Sequence, residues 1–333
     1  MDGTGDHQNS SLEGLNNLLE QTRAIMNGIN HLVIQQTPIL LSSSGINPIR
    51  LGSISEHPIW NPSIIKFDGK YICVTRSSNF YALNDSIWAY ADKGGHKTEN
   101  YVYYLDDCLV IKGIAELKYD ASSSETMRGS YGIEDIRLFT AAGKLYGIGA
   151  SVSRGVNGSP FRVEQAVFEV DGSRIVNLKI MESPLGLEIE KNWAPLVVND
   201  KIYIIYSHEP LVVYQLTKEG DLRLISKETP VAQAYSLRGG TPLQPWRGGY
   251  LCAVHQAPFT SDRCYYTHKF LRYDASLSRV ETSGSFFIQK RGIEFAAGLV
   301  VEEDRLILSY GVSDQAAYIA CIPNSELHEL LLV

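Results

Sequence analysis

The chain has 333 residues, 44% hydrophobic and 20% charged, which is ample for a sizeable core in one large domain or two average ones. A formal charge of −7, with basic residues scattered, gives no electrostatic reason to expect nucleic acid or an anionic membrane surface as a partner. The five cysteines (Cys73, Cys108, Cys252, Cys264, Cys321) are odd in number, far apart and without a Cys-x-x-Cys pair, which argues against a zinc site or a disulfide framework.

The first nine residues are polar and acidic, unlike a signal peptide, and read as disordered. A capping box follows, Ser10-Ser11-Leu12-Glu13. Leu12, Leu15, Leu18, Leu19, Ile25, Met26 and Ile29 then recur at helical spacing, predicting one amphipathic helix over about 12–30. Such a helix packs across the main domain or serves in homo-oligomer formation. No apolar stretch reaches the ~18–20 residues of a membrane span, so a cytoplasmic protein without a membrane span is expected.

From about residue 57 the pattern becomes short β-rich runs broken by turn residues, and one unit recurs. A polar residue leads into an apolar strand, a tight turn and a second apolar strand. The copies begin at Asn61, Glu134, Glu190, Arg238 and Glu294, with spacings of 73, 56, 48 and 56 residues. Their turns read Asp68-Gly69-Lys70, Ala142-Gly143-Lys144, Asn199-Asp200-Lys201, Arg247-Gly248-Gly249 and Glu303-Asp304-Arg305. Each interval holds about four strands, the signature of a propeller blade. The expected fold is therefore all-β, a five-bladed β-propeller over 57–333, preceded by a tail, helix and lead-in over 1–56. The serines 122–124 read as a loop.

In a propeller, the residues that open each innermost strand line one mouth of the central channel. Five segments would thus bring Asn61, Glu134, Asp135, Arg137, Glu190, Lys191, Arg238 and Glu294 to one place. Neither a dinucleotide or phosphate-binding glycine loop nor a Gly-x-Ser-x-Gly elbow nor a His-Glu-x-x-His pair is present.

Taken in order, Asn61-Pro62, Arg76, Glu134-Asp135-Ile136-Arg137, Lys191-Asn192, Gly239-Gly240-Thr241-Pro242 with His255, and Tyr310-Gly311-Val312-Ser313-Asp314 resemble glycoside hydrolase family 130. That family comprises inverting mannoside phosphorylases and mannosidases, with related β-mannosyltransferases. Ile136 stands where the family usually has Pro, and the surroundings of Trp193, Arg238 and Glu294 look closer to a divergent branch found beside glycosyltransferases.

The resemblance implies an enzyme that cleaves or makes β-mannosides or related glycosides. Asp135 would be the catalytic acid, acting through a hydroxyl of the bound sugar. Glu134 beside it would add a like charge and favour one protonated carboxyl near neutrality. Lys191, His255, Arg137 and Arg76 would bind phosphate. Asn61, Glu134, Glu190, Trp193, Arg238, Glu294 and Asp314 would bind substrate. The expected partners are an oligosaccharide or a sugar phosphate, with no cofactor or metal and with inorganic phosphate as co-substrate. A nucleotide-sugar glycosyltransferase and a non-catalytic glycan-binding propeller remain alternatives. Plainer roles also stay open: a bridge from Asp135 to Arg137, a surface Lys191, a core His255, a core Trp193 and a turn at Asp314.

Overall fold

Four of the five anticipated hairpin turns place two consecutive residues in the left-handed region, as a two-residue turn matched to strand twist requires. They are Asp68-Gly69 (φ 48 and 71°), Ala142-Gly143 (48 and 72°), Asn199-Asp200 (49 and 58°) and Arg247-Gly248 (46 and 73°). The fifth closes through the Glu302 N–H, which donates to the Arg305 carbonyl at 2.9 Å. The computed structural model describes residues 39–41, 48–84, 87–90, 96–154, 161–227, 237–257, 265–278 and 280–325. The tail and the amphipathic helix expected over 12–30 lie outside the described residues.

Each turn joins the two innermost strands of one blade, and five of the six sheets among the described residues are blades built on antiparallel strands. Lys118–Tyr119 adds a parallel edge to one of them, and Phe80–Asn84 with Ile87–Tyr90 forms a separate two-stranded hairpin. Blade 1 comprises Ile59–Phe67, Lys70–Ser78, Thr98–Leu105 and Ile111–Glu116. Blade 2 comprises Ser130–Ala141, Lys144–Arg154, Phe161–Asp171 and Arg174–Ile180. Blade 3 comprises Ala194–Val198, Lys201–His208, Leu211–Leu216 and Leu222–Lys227. Blade 4 is built on Arg238–Gly239 with Gln244–Trp246, then Gly249–Gln256 and Thr267–Asp274. Blade 5 comprises Glu294–Val301, Arg305–Val312 and Ala316–Pro323.

The lead-in takes part in this architecture. Ile49–Arg50 pairs with Ile319 and Tyr318 as the outermost strand of blade 5, and Ile39–Leu40 adds an edge to blade 4. The propeller is thereby closed with chain from before its first repeat, a role that two-residue strands are too short to announce in the sequence. The serines 122–124, read as a loop, instead sit in the short helix Ala121–Thr126, capped by Asp120, whose Oδ1 accepts from the Ser123 N–H at 2.8 Å. No helix among the described residues is long and apolar enough to cross a membrane.

Each neighbouring pair of blades buries its own apolar cluster. Ile65, Val74, Ile136 and Phe168 fill the join of blades 1 and 2, and Phe139, Ile148, Trp193 and Ile204 that of blades 2 and 3. Leu196, Ile205, Cys252 and Leu271 join blades 3 and 4, and Leu251, Phe270, Leu299 and Leu308 join blades 4 and 5. Ile64, Cys73, Tyr103 and Ile307 return from blade 5 to blade 1. Cys73 and Cys252 are thus small apolar fillers with free thiols. At one end of the channel the inner strands finish around a hollow of about 560 Å³ lined largely by Ile65, Val197, Leu243 and Val301 with Lys66 and Glu302. The opposite end, where these strands begin, brings Arg76, His96, Glu134, Asp135 and Lys191 into one ionic cluster.

Candidate active site

A regular strand sends successive side chains to opposite faces, so Glu134 and Asp135 should not both reach the channel. The inner strand of blade 2 breaks that rule with a register shift between Glu134 and Arg137 and with Asp135 at φ 52°. The inner strand of blade 1 does the same between Trp60 and Ser63, with Asn61 at φ 46°. Such bulges re-aim side chains. Here they turn Asn61 toward Asp135, and its Nδ2 donates to Asp135 Oδ1 at 2.7 Å.

Arg76, on the second strand of blade 1, is 5% exposed and lies against the rings of Trp60 and Phe80, 5.1 and 5.2 Å from their centroids. It spans both carboxylates. Nη2 donates to Glu134 Oε1 at 2.6 Å and Nη1 to Asp135 Oδ1 at 3.2 Å. Burial works against the Arg76 charge, but Glu134, Asp135 and Asp314 from blade 5 more than offset it. Glu134 also meets His96 Nε2 at 3.1 Å and Lys191 Nζ at 3.5 Å. Burial pushes the Glu134 carboxyl up, yet Arg76, His96 and Lys191 outweigh it and hold the group at about 2. Of the two carboxyls expected to share one proton, Glu134 is therefore the one held ionised, by Arg76, His96 and Lys191.

Asp135 differs from its neighbour in one respect. Oδ1 carries both of its bonds, Oδ2 accepts none from a described residue, and the side chain remains 16% exposed. One oxygen is fixed and the other is open. Lys191 is a cation with room for a ligand, its side chain 42% exposed.

The other expected site residues are placed differently. Arg137 is fully buried and donates to the carbonyls of Asp135 (2.8 Å), Gly240 (2.9 Å) and Gly239 (3.3 Å) and to Asn192 Oδ1 (3.0 Å). It ties blade 2 to blades 3 and 4, and it bonds the backbone of Asp135 rather than its carboxylate; burial lowers its pKa to about 10. His255 is 2% exposed, between the rings of Tyr266 and Phe295, with Nδ1 unpartnered. Burial, reinforced by His268, Arg238 and Arg137, keeps it neutral. Arg238 pairs with His255 in the ladder and is exposed.

Glu190 accepts from Trp193 Nε1 and the Tyr206 hydroxyl, both at 3.1 Å, and from the Ser183 hydroxyl. Trp193 is 1% exposed inside the blade 2–3 cluster, so it offers no open ring to a sugar. Glu294, fully buried, accepts the N–H groups of Ile288, Gln289 and Lys290 at 2.8–2.9 Å, and burial raises its carboxyl to about 6 against those amides. These three are scaffold groups, a correction to their expected contact with substrate.

Sequence reasoning missed His96, which stands in no recurring unit; only its contact with Glu134 reveals it. It also missed why Gly311 is a glycine: a Cβ there would lie 2.1 Å from Asn61 Oδ1. Among the described residues no group of His, Cys, Asp and Glu is disposed to hold a metal ion.

No family model matches the chain, and no curated protein matches it by sequence. Solved structures do share its fold. A β-1,2-mannobiose phosphorylase from Listeria innocua aligns with TM-score 0.59 at 15% identity, over 86% of this chain and 97% of that one. A mannose phosphorylase from Leishmania mexicana in complex with phosphate ion aligns with TM-score 0.52 at 10% identity, over 94% and 95%. The RS223 β-xylosidase also aligns, with TM-score 0.51 at 11% identity over 82% and 94%. At these identities the likeness establishes the propeller.

Proposed function

We propose that this propeller is a carbohydrate-active enzyme that cleaves β-mannosides or related glycosides with inversion, using phosphate as nucleophile, or runs the reverse synthesis. The observation that carries the reading is Asp135, with Oδ1 pinned by Asn61 and Arg76 and Oδ2 open, next in the chain to Glu134, which a half-exposed Lys191 meets at 3.5 Å. Protonated, Asp135 gives its proton to the leaving oxygen through a hydroxyl of the bound sugar as the anomeric C–O bond breaks. A phosphate oxygen attacks the anomeric carbon from the opposite face. The products are an inverted sugar 1-phosphate, a free alcohol and an ionised Asp135, which regains its proton from solvent. No second carboxylate is needed, because phosphate is already anionic. In synthesis Asp135 acts as the base.

A transferase that uses a nucleotide sugar is the second reading. It is favoured by how few cations are left for free phosphate: Arg76 is engaged by carboxylates, Arg137 by carbonyls, His255 is neutral and Lys191 stands 3.5 Å from Glu134, which leaves the exposed Arg238 and a partly engaged Lys191. Incubating the protein with mannose 1-phosphate or GDP-mannose and an acceptor panel separates the readings by which donor is consumed. Asp135→Asn keeps the Arg76 contact and is expected to lower kcat by about 10²–10⁴-fold without loss of thermal stability. Full activity in that variant, or no turnover by wild type on β-mannosides with and without phosphate, overturns the enzyme reading.

A further inference from the structure

Arg76 offers two arms to two carboxylates that occupy adjacent positions in the chain. The shorter contact is to Glu134 at 2.6 Å, and the longer, at 3.2 Å, is to Asp135. Glu134 is kept in place from its other side by His96, whose Nε2 is 3.1 Å from the same Oε1, and His96 is in turn packed between the rings of Phe80 and Tyr131. A guanidinium that met Asp135 alone could close on it with both arms, the arrangement that most stabilises a carboxylate anion.

We propose that Glu134, anchored by His96, is a positioning residue that holds one arm of Arg76 away from Asp135 and so leaves Asp135 able to carry the proton it must donate. This rests on the assignment of Asp135 as the acid. It gives Glu134 a task other than contact with the sugar, for which its 5% exposure leaves little surface.

The charges around the pair are Arg76 and His96 from blade 1, Lys191 from blade 3, Asp314 from blade 5, and Arg137 on the same strand as Asp135. Arg238 and His255 of blade 4 stand near Arg137. With Glu134 neutral this set loses one negative charge. Arg76 then has a single strong partner, and both changes favour ionised Asp135.

The test is the pH profile of Glu134→Gln, which preserves shape and an acceptor for Arg76. In the cleavage direction the basic limb of kcat/KM, which reports loss of the Asp135 proton, is expected to move down by about one pH unit or more. In the synthetic direction the acidic limb moves the same way by the same amount. Glu134→Asp, which keeps the charge, leaves both limbs near their wild-type positions even if kcat falls. A uniform loss of rate with unmoved limbs, or equal shifts in the Gln and Asp variants, overturns the proposal.

Carbon-13 carboxyl NMR, with the Asp135 signal assigned by Asp135→Asn, reads the same protonation without substrate. It separates failure of this inference from failure of the enzyme reading. Should Glu134→Gln not fold, Asp314→Asn removes another carboxylate from around Arg76 and is expected to move the limb in the same direction by less. An unmoved limb there counts against the proposal.

Discussion

Replacing Arg137 by Lys tests whether this residue is scaffold or phosphate clamp. The guanidinium is fully buried and supplies four hydrogen bonds of 2.8–3.3 Å, three to carbonyl oxygens and one to the Asn192 amide, and its face lies 5.2 Å from the Phe295 ring centroid. A lysine keeps the charge, so the cost of burying it does not drop out, but a single ammonium cannot reach acceptors spread over blades 2, 3 and 4. Two of the four bonds are lost at the least. At about 1.5–3 kcal/mol for each bond to a charged donor, the loss is about 3–6 kcal/mol. With an unfolding entropy of roughly 2 cal/mol/K per residue, a chain of this length should melt about 4–9 °C lower. Differential scanning calorimetry measures the shift, and phosphate KM measured well below the new midpoint gives the other half of the answer. An unchanged midpoint with a selectively raised phosphate KM would refute the scaffold assignment.

Lys191→Met removes a half-exposed cation from this mouth, so KM for phosphate or a sugar phosphate should rise roughly 10–100-fold while the midpoint barely moves. Unchanged KM values would remove Lys191 from the anion site. Gly311→Ala places a Cβ 2.1 Å from Asn61 Oδ1 and 2.6 Å from its backbone nitrogen, which should push Asn61 off Asp135, cost about 1–3 kcal/mol and lower kcat; wild-type kcat would show that the Asn61 bond is dispensable. Burial lowers the pKa of His208, 6% exposed and bonded through Nδ1 to the Tyr273 hydroxyl at 2.9 Å, to about 4. Since the folded value is depressed, this stability is fully present above pH 6.5 and is lost as pH falls toward 4. About 2 kcal/mol should be gone by pH 5, so urea midpoints at pH 7.5 and 5.0 should differ less in His208→Gln than in wild type.

Much of this protein is legible along the chain because local physics repeats there. Gly, Asn and Asp at hairpin turns and alternation of apolar residues between them are short-range signals, so five blades and their inner strands can be counted without a structure. Asn61 and Asp135 are readable for the same reason, since they open repeats at the register that lines a channel. Other assignments depend on strand parity, and here parity is broken: bulges and left-handed residues at Asn61 and Asp135 decide which side chains face the centre. Glu190 and Glu294 open repeats at the same register, yet with Trp193 they are used up in joins between blades or on a neighbouring loop. Partners distant in sequence decide the rest. Arg137 donates to carbonyls 102 and 103 residues away, and Asp135 is bonded by an amide 74 residues before it. A sequence shows which side chains can donate and accept. Only closure of the ring decides which of them are used up in holding it together and which stay open to a ligand.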